Sequence, residues 1–584
     1  MRPSQRLRTL SPEVDPLRLG TGWKREDLEK PQVFIESTFG DSHPGSGHLD
    51  RLVECVREGV REAGGFGARY FVTDMCDGEA QGHDGINFSL ASREMIANMI
   101  EIQAGATPFD SAVYIASCDK GLPGNLIGMA RVNIPSLVLP GGVMDPGPDL
   151  LTLEQLGTYA ARFARGEIDE EAFTFAKHHA CPSCGACSFL GTASTMQIMA
   201  EALGLALPGS ALLPATGERI LEAARETGRC AVRIAENDAL RPQCLLSERS
   251  FRNAIYVHAA ISGSTNALLH LPALAHAYGI GLSGDTFDRL HRDIPWLLNI
   301  RPAGKYPAAF FHAAGGVPAV MREISDRLDL SVPTVTGKML GDNLEDLEKQ
   351  GYWAACEEDL DRLNRTYHLT LKASDIIAPR SRPLGECGSI AVLKGNLAPQ
   401  GAVIKHTACP REMFEVTLRA RPFDCEEDCI QAVLRHDVAP GDAVIIRYEG
   451  PKGSGMPEMF YTTEAIASDA ELSRRIALIT DGRFSGASRG PVIGHVSPEA
   501  QSQGPIALVE EGDLIRISIS QRRLDIVGVR GEEKTEEEIE TILAERKAAY
   551  IPRKPRYTKG VLGLFSALAT SPMEGAYLDV SPRS

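Results

Sequence analysis

The sequence predicts an α/β protein in which an N-terminal domain with a largely parallel sheet precedes a C-terminal β-barrel-like domain. Two observations lead to this fold class. The first two-thirds of the 584 residues alternates short apolar runs with helical patterns, whereas the remainder consists of short β-rich runs broken by Gly, Pro, Asp and Asn. Alternating strands and helices are typical of parallel sheets, and closely spaced strands are typical of barrels or sandwiches. We therefore expect domains at 1–380 and 381–584.

The prediction for the N-terminal domain is based on one β-loop-α-β unit. The apolar run Ala112–Ser117 is followed by the turn CDKGLPG, the helical pattern NLIGMARVNI and a second apolar run, IPSLVLPGG. A further long, mostly buried helix is predicted from Leu190 to Leu207. Sheets of this kind bind ligands in the loops that follow their strands. We therefore look for chemistry in the turn CDKGLPG.

The C-terminal prediction depends on short strands. Leu514, Arg516 and Ser518 alternate with Ile515, Ile517 and Ile519 at the period of a strand. Runs such as GSIAVLKG, GAVIKHTA, DAVIIRYEG and RIALITDG have the same character. The segment from Glu532 to Lys547 is predicted to be a charged amphipathic helix.

Composition and charge exclude several classes of function. The formal net charge of −16 argues against nucleic acid or an anionic membrane as partner, because binding phosphates needs a basic surface. The first twenty residues have no apolar core, and no stretch reaches the length that spans a bilayer, so we expect a cytoplasmic protein. In a reducing compartment, clustered members of the 13 cysteines are metal ligands or core residues more often than disulfides.

The densest motif is the loop HACPSCGAC, with Cys181, Cys184 and Cys187 at three-residue intervals. Cysteines at this spacing on a loop with Gly and Pro can converge on one metal or iron–sulfur cluster. A structural zinc would need a fourth ligand, and the chain has no second CxxC pair. Incidental thiols on a surface loop are the third interpretation.

A second motif, SCDKGLPG, places a thiol, a carboxylate and an amine at adjacent positions, namely Cys118, Asp119 and Lys120. Asp119 is a candidate ligand for a hard cation. An ammonium beside a dication is repelled, so Lys120 would have to be neutral, displaced or converted to a carbamate. An ordinary surface turn is the alternative.

Three further turns contain candidate polar groups. Asp77 lies in CDGE, Glu458 ends the Gly-rich turn GPKGSGMPE, and Ser485 stands before a glycine in TDGRFSG. Magnesium binds a few carboxylates together with water and substrate oxygens. Each of the three residues, taken singly, is also compatible with a solvated turn.

Together these motifs resemble the family that unites dihydroxy-acid dehydratase, phosphogluconate dehydratase and the sugar-acid dehydratases. The resemblance extends from about Pro31 to Asp579 through CDGEAQGHDG, SCDKGLPG, ACPSCGACSFLGTASTM, YEGPKGSGMPEM and LITDGRFSG. It implies an N-terminal α/β domain, a C-terminal β-barrel, a site between them, and a homodimer or homotetramer. It also implies a hydro-lyase that acts on a small hydroxy acid with magnesium and an iron–sulfur cluster.

The resemblance also implies roles for individual residues. Cys118 and Cys187 would bind the cluster. Magnesium would be bound by Asp77, Asp119, Glu458 and a carbamylated Lys120, and Ser485 would be the general base as an alkoxide.

One departure concerns the third cluster ligand. Many relatives have Cys in a Pro-Cys-Asn motif where this chain has Gly45, in the segment HPGSGH. Because glycine cannot bind iron, we expect Cys184 to replace that cysteine, on either a [4Fe–4S] or a [2Fe–2S] cluster. Segments such as ARGEIDEEAF favour an aldonic sugar acid as substrate, whereas CPSCGAC and RYEGPKG equally resemble dihydroxy-acid dehydratase. A dihydroxy acid of branched-chain amino-acid synthesis is the alternative substrate, and a non-catalytic iron–sulfur sensor is the alternative function.

Overall fold

The N-terminal half is built on a four-stranded parallel sheet. The computed structural model describes residues 1–467, 469, 471–484 and 490–581. The strands are β1 (Gln32–Ser37), β2 (Phe66–Phe71), β3 (Ser111–Ala116) and β4 (Ser136–Pro140), in the order β2-β1-β3-β4. Every residue of β1, β3 and β4 is buried, as expected of a parallel sheet covered on both faces.

Helices cover this sheet and extend the domain. They are α1 (Pro3–Leu10), α2 (Val14–Gly20), α3 (Leu49–Glu62), α4 (Asp77–Ala80), α5 (Phe88–Ala106), α6 (Gly121–Val132), α7 (Leu156–Ala164), α8 (Glu170–His179), α9 (Thr192–Ala202), α10 (Glu218–Ile234), α11 (Pro242–Leu245), α12 (Glu248–Ile261), α13 (Ala267–Ala277), α14 (Gly284–Arg292), α15 (Ala309–Ala313), α16 (Gly316–Glu323), α17 (Leu340–Lys349), α18 (Tyr352–Thr366) and α19 (Ala373–Ile376).

The C-terminal part contains a nine-stranded mixed sheet in the order β15-β14-β13-β7-β8-β10-β12-β6-β5 and a small parallel pair, β9 with β11. The strands are β5 (Ile390–Leu393), β6 (Gly401–Lys405), β7 (Glu415–Phe423), β8 (Asp442–Ile446), β9 (Glu458–Met459), β10 (Ala477–Thr480), β11 (Arg483–Phe484), β12 (Val492–Ser497), β13 (Leu514–Ser518), β14 (Arg523–Val529) and β15 (Glu532–Glu533). The helices are α20 (Glu426–Leu434), α21 (Tyr461–Ala467), α22 (Leu472–Arg475), α23 (Glu536–Ala549) and α24 (Gly560–Leu568).

The predicted fold class is confirmed, with a parallel sheet followed by a large curled mixed sheet. The helix expected from Leu190 to Leu207 is shorter, because Gly204 adopts a positive φ of 76° directly after it and Pro208 follows. The charged C-terminal helix begins at Glu536 instead of Glu532, since Thr535 accepts a hydrogen bond from the Glu538 N–H as N-cap, and it is not amphipathic as expected, because only its Ile539 is buried. The domain boundary near residue 380 stays a prediction.

An apolar cluster joins the two halves. Leu90 and Leu269 of the N-terminal half pack with Met456, Leu562 and Phe565 of the C-terminal half, and all five are buried. This contact lies close in sequence to the predicted site residues Asp77 and Glu458. Within the described residues, no helix is long and apolar enough to cross a membrane.

Candidate active site

Three carboxylates from three separate segments converge at the junction of the two halves. One ligand oxygen each of Asp77, Asp119 and Glu458 lies within 4.8 Å of the others. Asp119 follows β3, Asp77 begins the short helix α4 after β2, and Glu458 begins β9. The parallel sheet brings the first two together because the carboxyl ends of β2 and β3 lie at the same edge.

Two buried cations balance these carboxylates. The Lys120 ammonium lies 2.9 Å from Oδ2 of Asp77 and 3.3 Å from Oδ2 of Asp119. The Arg483 guanidinium lies 2.7 Å from Oε2 of Glu458 and 3.2 Å from Oδ2 of Asp77. Both cationic side chains are fully buried, so their charges are weakly screened.

Burial and the neighbouring cations act in opposite directions on the pKa values of the Asp77 and Glu458 carboxyls. Burial raises the pKa of Asp77, but Lys120 and Arg483 outweigh it and the net pKa is lowered. Burial, together with the charges of Asp77 and Asp119, raises the pKa of Glu458 in spite of Arg483. A cation bound among the three oxygens would favour the ionised form of all of them.

Neighbouring polar groups fix the orientation of the carboxylates. Ser89 donates a hydrogen bond of 2.7 Å to Oδ1 of Asp77. Asn266 donates one of 2.9 Å to Oε2 of Glu458. Arg483 also donates to the Met456 carbonyl, and its register partner in the β9–β11 pair is Glu458 itself. Sequence reasoning missed Ser89, Asn266 and Arg483, because they become neighbours of the acids only in the folded chain.

A buried thiol is adjacent in sequence to the acidic group. Cys118 is 8% exposed and precedes Asp119. Burial raises the pKa of its thiol, and Asp74, Asp119, Cys76 and Cys187 add to the rise. These named groups therefore lie within electrostatic reach of Cys118.

The Cys187 thiol belongs to the same group of thiols. Burial raises its pKa, and the largest further contribution is that of Cys76. The loop that carries it is fixed by backbone hydrogen bonds from Ala186 N–H to the Gly142 carbonyl and from Gly185 N–H to the Pro44 carbonyl.

The other two loop cysteines have different surroundings. Cys181 is exposed, although it contributes to the raised pKa of Cys187. The Cys184 thiol is half-buried. Burial raises its pKa and Asp145 adds to the rise, whereas its own backbone and Arg51 lower the pKa in part. Cys184 as the third cluster ligand stays a prediction. Ser485 lies outside the described residues.

Gly45 lies next to Cys118. A Cβ atom at position 45 would stand 3.4 Å from the Cβ of Cys118 and 3.0 Å from Nδ1 of His43. The Gly45 N–H donates to that His43 nitrogen, and the opposite nitrogen, Nε2, lies 2.7 Å from Oδ1 of Asp74. The buried His43 ring therefore lies directly beside Gly45.

The chain is similar to known proteins over nearly its whole length. Residues 30–343 match the family model described as Dihydroxy-acid/6-phosphogluconate dehydratase N-terminal, and residues 375–576 match the corresponding C-terminal model. Dihydroxy-acid dehydratase 1 of Methanosarcina acetivorans is 41% identical over 567 residues, which cover 96% of each chain. Dihydroxy-acid dehydratase of Pyrococcus abyssi is 42% identical over 571 residues, which cover 95% of each chain. The chain thus belongs to the dihydroxy-acid/6-phosphogluconate dehydratase family and is an enzyme of the hydro-lyase class.

Proposed function

We propose that this enzyme removes water from a 2,3-dihydroxy carboxylic acid to leave a 2-keto acid, using magnesium and an iron–sulfur cluster. One observation carries the proposal: three carboxylate oxygens lie within 4.8 Å of one another, and one of these acids, Asp119, directly follows the buried Cys118. A hard-oxygen site beside a thiol site is suited to two different metal centres.

The substrate is taken to be the smaller, branched-chain type of dihydroxy acid, such as 2,3-dihydroxyisovalerate. The relatives of about 41% identity carry the name dihydroxy-acid dehydratase, which supports this choice over the aldonic acid that sequence segments favoured. An aldonate is the alternative, since its reacting three-carbon unit is the same.

The oxygen site fits magnesium. The three carboxylates are hard ligands whose oxygens lie within 4.8 Å of one another, and magnesium is bound in proteins by a few carboxylates together with water and substrate oxygens. The Lys120 nitrogen lies at hydrogen-bonding distance from two of these ligands. As an ammonium it would repel the ion, so we infer that carbon dioxide converts it to an anionic carbamate.

The thiol site fits an iron–sulfur cluster better than a single zinc ion. Thiolates on one tetrahedral zinc lie about 3.8 Å apart, given Zn–S bonds of about 2.3 Å. Among the described residues, the acidic trio is the only set of three ligand atoms from Cys, His, Asp or Glu that lies within 4.8 Å. Thiols that lie farther apart than those on a single zinc ion fit a cluster that contains more than one iron.

When bound, the two groups supply Lewis-acid stabilisation of charge on the carboxylate side of the substrate and on the departing hydroxyl. The protein holds the ligands: Arg483 and Asn266 orient Glu458, and Ser89 orients Asp77. Ser485, as an alkoxide, is proposed to take the proton from C2. Hydroxide leaves from C3, and the resulting enol tautomerises to the 2-keto acid.

The proposed assembly is a homodimer or homotetramer that acts on this small molecule and has no nucleic-acid partner. The net charge of −16 supports the last point.

The test is 2-keto acid formation by anaerobically purified enzyme with magnesium, on 2,3-dihydroxyisovalerate and a panel of aldonates. We expect the highest kcat/KM on 2,3-dihydroxyisovalerate. The Ser485→Ala variant is the matched control and should keep the cluster spectrum while losing turnover. Turnover confined to aldonates would reverse the substrate assignment, and no turnover from protein with an intact cluster would contradict the dehydratase function.

A further inference from the structure

The segment 262–266, called the α12–α13 loop because it joins those helices, carries Asn266 to the acidic site. The Asn266 side-chain amide donates hydrogen bonds of 2.9 Å to Oε2 of Glu458 and of 2.9 Å to Oγ1 of Thr192. The Asn266 backbone N–H donates to the Ser264 hydroxyl at 3.2 Å, and that hydroxyl lies 3.0 Å from Oγ1 of Thr192. All four side chains are buried. The orientation of Glu458 therefore depends on where the loop places Ser264 and Asn266.

A pair of buried histidines, His258 in α12 and His291 in α14, is hydrogen-bonded to this loop. The Ile390 N–H donates to Nδ1 of His291 at 3.2 Å, so the proton of that neutral ring is on Nε2. Nε2 of His291 lies 3.0 Å from Nδ1 of His258, which therefore accepts. The remaining nitrogen of His258, Nε2, donates to the Ser264 carbonyl at 3.0 Å. The hydrogen bonds thus run in one direction, from the backbone of β5 through two rings to the loop.

This direction requires both rings to be neutral. A second proton on His258 would set its N–H against that of His291, and a second proton on His291 would set an N–H against that of Ile390. Burial lowers the pKa of His258 to about 4 and also lowers that of His291, so both rings are neutral at pH 7. The pair therefore keeps one arrangement of hydrogen bonds near neutral pH.

The His258 ring also sets the course of the loop backbone. A Cβ atom at Gly263 would stand 2.4 Å from Cδ2 of this ring, a distance that only glycine allows. The buried His312 of α15 offers a contrast: among the described residues, neither of its ring nitrogens has a hydrogen-bond partner. His258 does more than fill the core, since both of its nitrogens and one edge of its ring fit the loop and its neighbours.

The C-terminal half holds the loop at both ends. At the first end, Ser262 has a positive φ of 55°, and its carbonyl accepts a hydrogen bond of 2.8 Å from Nζ of Lys405 in β6. At the other end, Asn266 donates to Glu458. The histidine pair, which receives its first hydrogen bond from β5, supports the middle of the loop. The loop consequently aligns Glu458 with the two carboxylates of the N-terminal half.

We propose that His258, oriented by His291, is a positioning residue of the metal site, which fixes the α12–α13 loop so that Asn266 holds Glu458 in place for a divalent cation. This inference rests on the proposed function, in which Glu458 binds magnesium. Within the described part of the chain, His258 forms hydrogen bonds with His291 and Ser264 and none with the three carboxylates, so it acts through the loop. Replacing groups that orient a metal ligand commonly weakens metal binding by about 10- to 100-fold.

The first test measures binding of a cation and not turnover. The full-length protein in bicarbonate buffer is titrated with manganese(II) chloride, a probe for the magnesium site, by isothermal titration calorimetry. His258→Asn removes the donor to the Ser264 carbonyl, because the shorter amide ends near the position of Nδ1, and it should bind Mn²⁺ about tenfold more weakly. His258→Gln places an amide N–H near the position of Nε2 and should stay within about threefold of the parent protein.

The matched control is His312→Asn, which shortens a buried histidine that lies outside the pair. It should bind Mn²⁺ with the affinity of the parent protein. Urea unfolding of every variant gives its stability and shows that it is folded under the conditions of the titration. A loss of affinity that follows the histidine pair and not the loss of stability is the expected result.

The second test asks whether His258 acts through Asn266. Mn²⁺ affinity is measured for Asn266→Ala, for His258→Asn and for the double variant. If His258 only places Asn266, the double variant should bind Mn²⁺ no more weakly than Asn266→Ala alone, because the group that transmits the effect is already absent. A general loosening of the core would instead weaken binding additively.

The outcomes separate this inference from the proposed function. Parent affinity for Mn²⁺ in His258→Asn would overturn the inference, and so would equal losses in His258→Asn and His258→Gln or additive losses in the double variant. In each of these cases the parent protein still binds Mn²⁺ and the proposed function stands. A parent protein that binds no Mn²⁺ would contradict the proposed function and overturn the inference with it.

Discussion

Two groups of largely buried carboxylic acids differ in how their charges are compensated. The site trio consists of Asp77, Asp119 and Glu458, and the loop trio consists of Glu449, Asp481 and Glu499. The site trio is paired with the fully buried cations Lys120 and Arg483. The loop trio lies in the C-terminal half and is held mainly by backbone amides.

The loop trio fixes the turn that leads to Glu458. Asp481 accepts hydrogen bonds from the backbone N–H groups of Tyr448, Glu449 and Ala500. Glu499 accepts from those of Lys452 and Gly453. The acids therefore organise the Gly-rich segment that carries Glu458 into the site.

Protonation, more than pairing, relieves the charge of the loop trio. Burial raises the pKa of Glu499 to about 8 and that of Glu449 to about 8, and the charge of Asp481 contributes to both rises. Burial likewise raises the pKa of Asp481 to about 6. Arg556 and Lys452 lower these values only in part.

The difference shows what each group is built for. In the site trio, Lys120 and Arg483 hold the pKa of Asp77 below its ordinary value while that of Glu458 stays raised, so a bound metal ion would complete the compensation of charge. Carboxyls held by amides and protons serve instead as local braces. Carboxyls with shifted pKa values therefore occur in both groups. Of the two groups, only the one paired with Lys120 and Arg483 has three ligand oxygens close enough together for a metal ion.

The largest effect is expected from removing the cation that joins the halves of the site. Arg483→Met leaves Glu458 and Asp77 short of positive charge in a buried place. Loss of one partner of a buried pair costs about 3–5 kcal/mol, so the free energy of unfolding without magnesium should fall by that order and turnover should be lost. Urea unfolding and 2-keto acid formation measure the two effects.

The control for this variant is Arg523→Met, which removes an arginine that is half exposed and paired with Asp525. Its effect should stay below about 1 kcal/mol. Magnesium should restore part of the stability of Arg483→Met, because the dication supplies the missing charge. An Arg483→Met protein as stable as the parent in the absence of magnesium would contradict the pairing described for the site trio.

A smaller effect is expected from pH. The folded-state pKa values of Glu449 and Glu499, about 8, lie above the ordinary glutamate value of 4.5, so the folded chain binds more protons than the unfolded chain between those limits. Stability is therefore fully present below about pH 4.5 for these two groups and is lost as pH rises toward 8. Each extra proton corresponds to about 1.4 kcal/mol per pH unit. Urea midpoints measured from pH 5.5 to 8.5 should fall, and a rise across that range would disprove protonation as the main compensation.

Much of the fold and part of the site could be predicted from the sequence. Alternation of apolar runs and helices predicted the parallel sheet, and turn acids after strands predicted Asp77 and Asp119, since both features are local. Glu458 was a candidate as the acid that ends a Gly-rich turn, and the resemblance assigned all three acids to magnesium. Arg483 was visible in TDGRFSG, but its burial and its contact with Asp77 depend on folding across 406 residues, which no local pattern records.

The smallest effect isolates one member of the loop trio. Glu499→Gln replaces a carboxyl that is largely protonated at pH 7 with a neutral group of similar shape, so stability near pH 6 should change by less than about 1 kcal/mol. Between pH 6 and 8.5, the slope of the free energy of unfolding against pH should become shallower, because one titrating group is lost. The change should be at most the contribution of one proton. The exposed Glu540→Gln serves as the matched control and should leave the slope unchanged. A large loss of stability in Glu499→Gln at pH 6, with an unchanged slope, would mean that Glu499 acts as an ionised brace, and the two trios would then differ only in their cations.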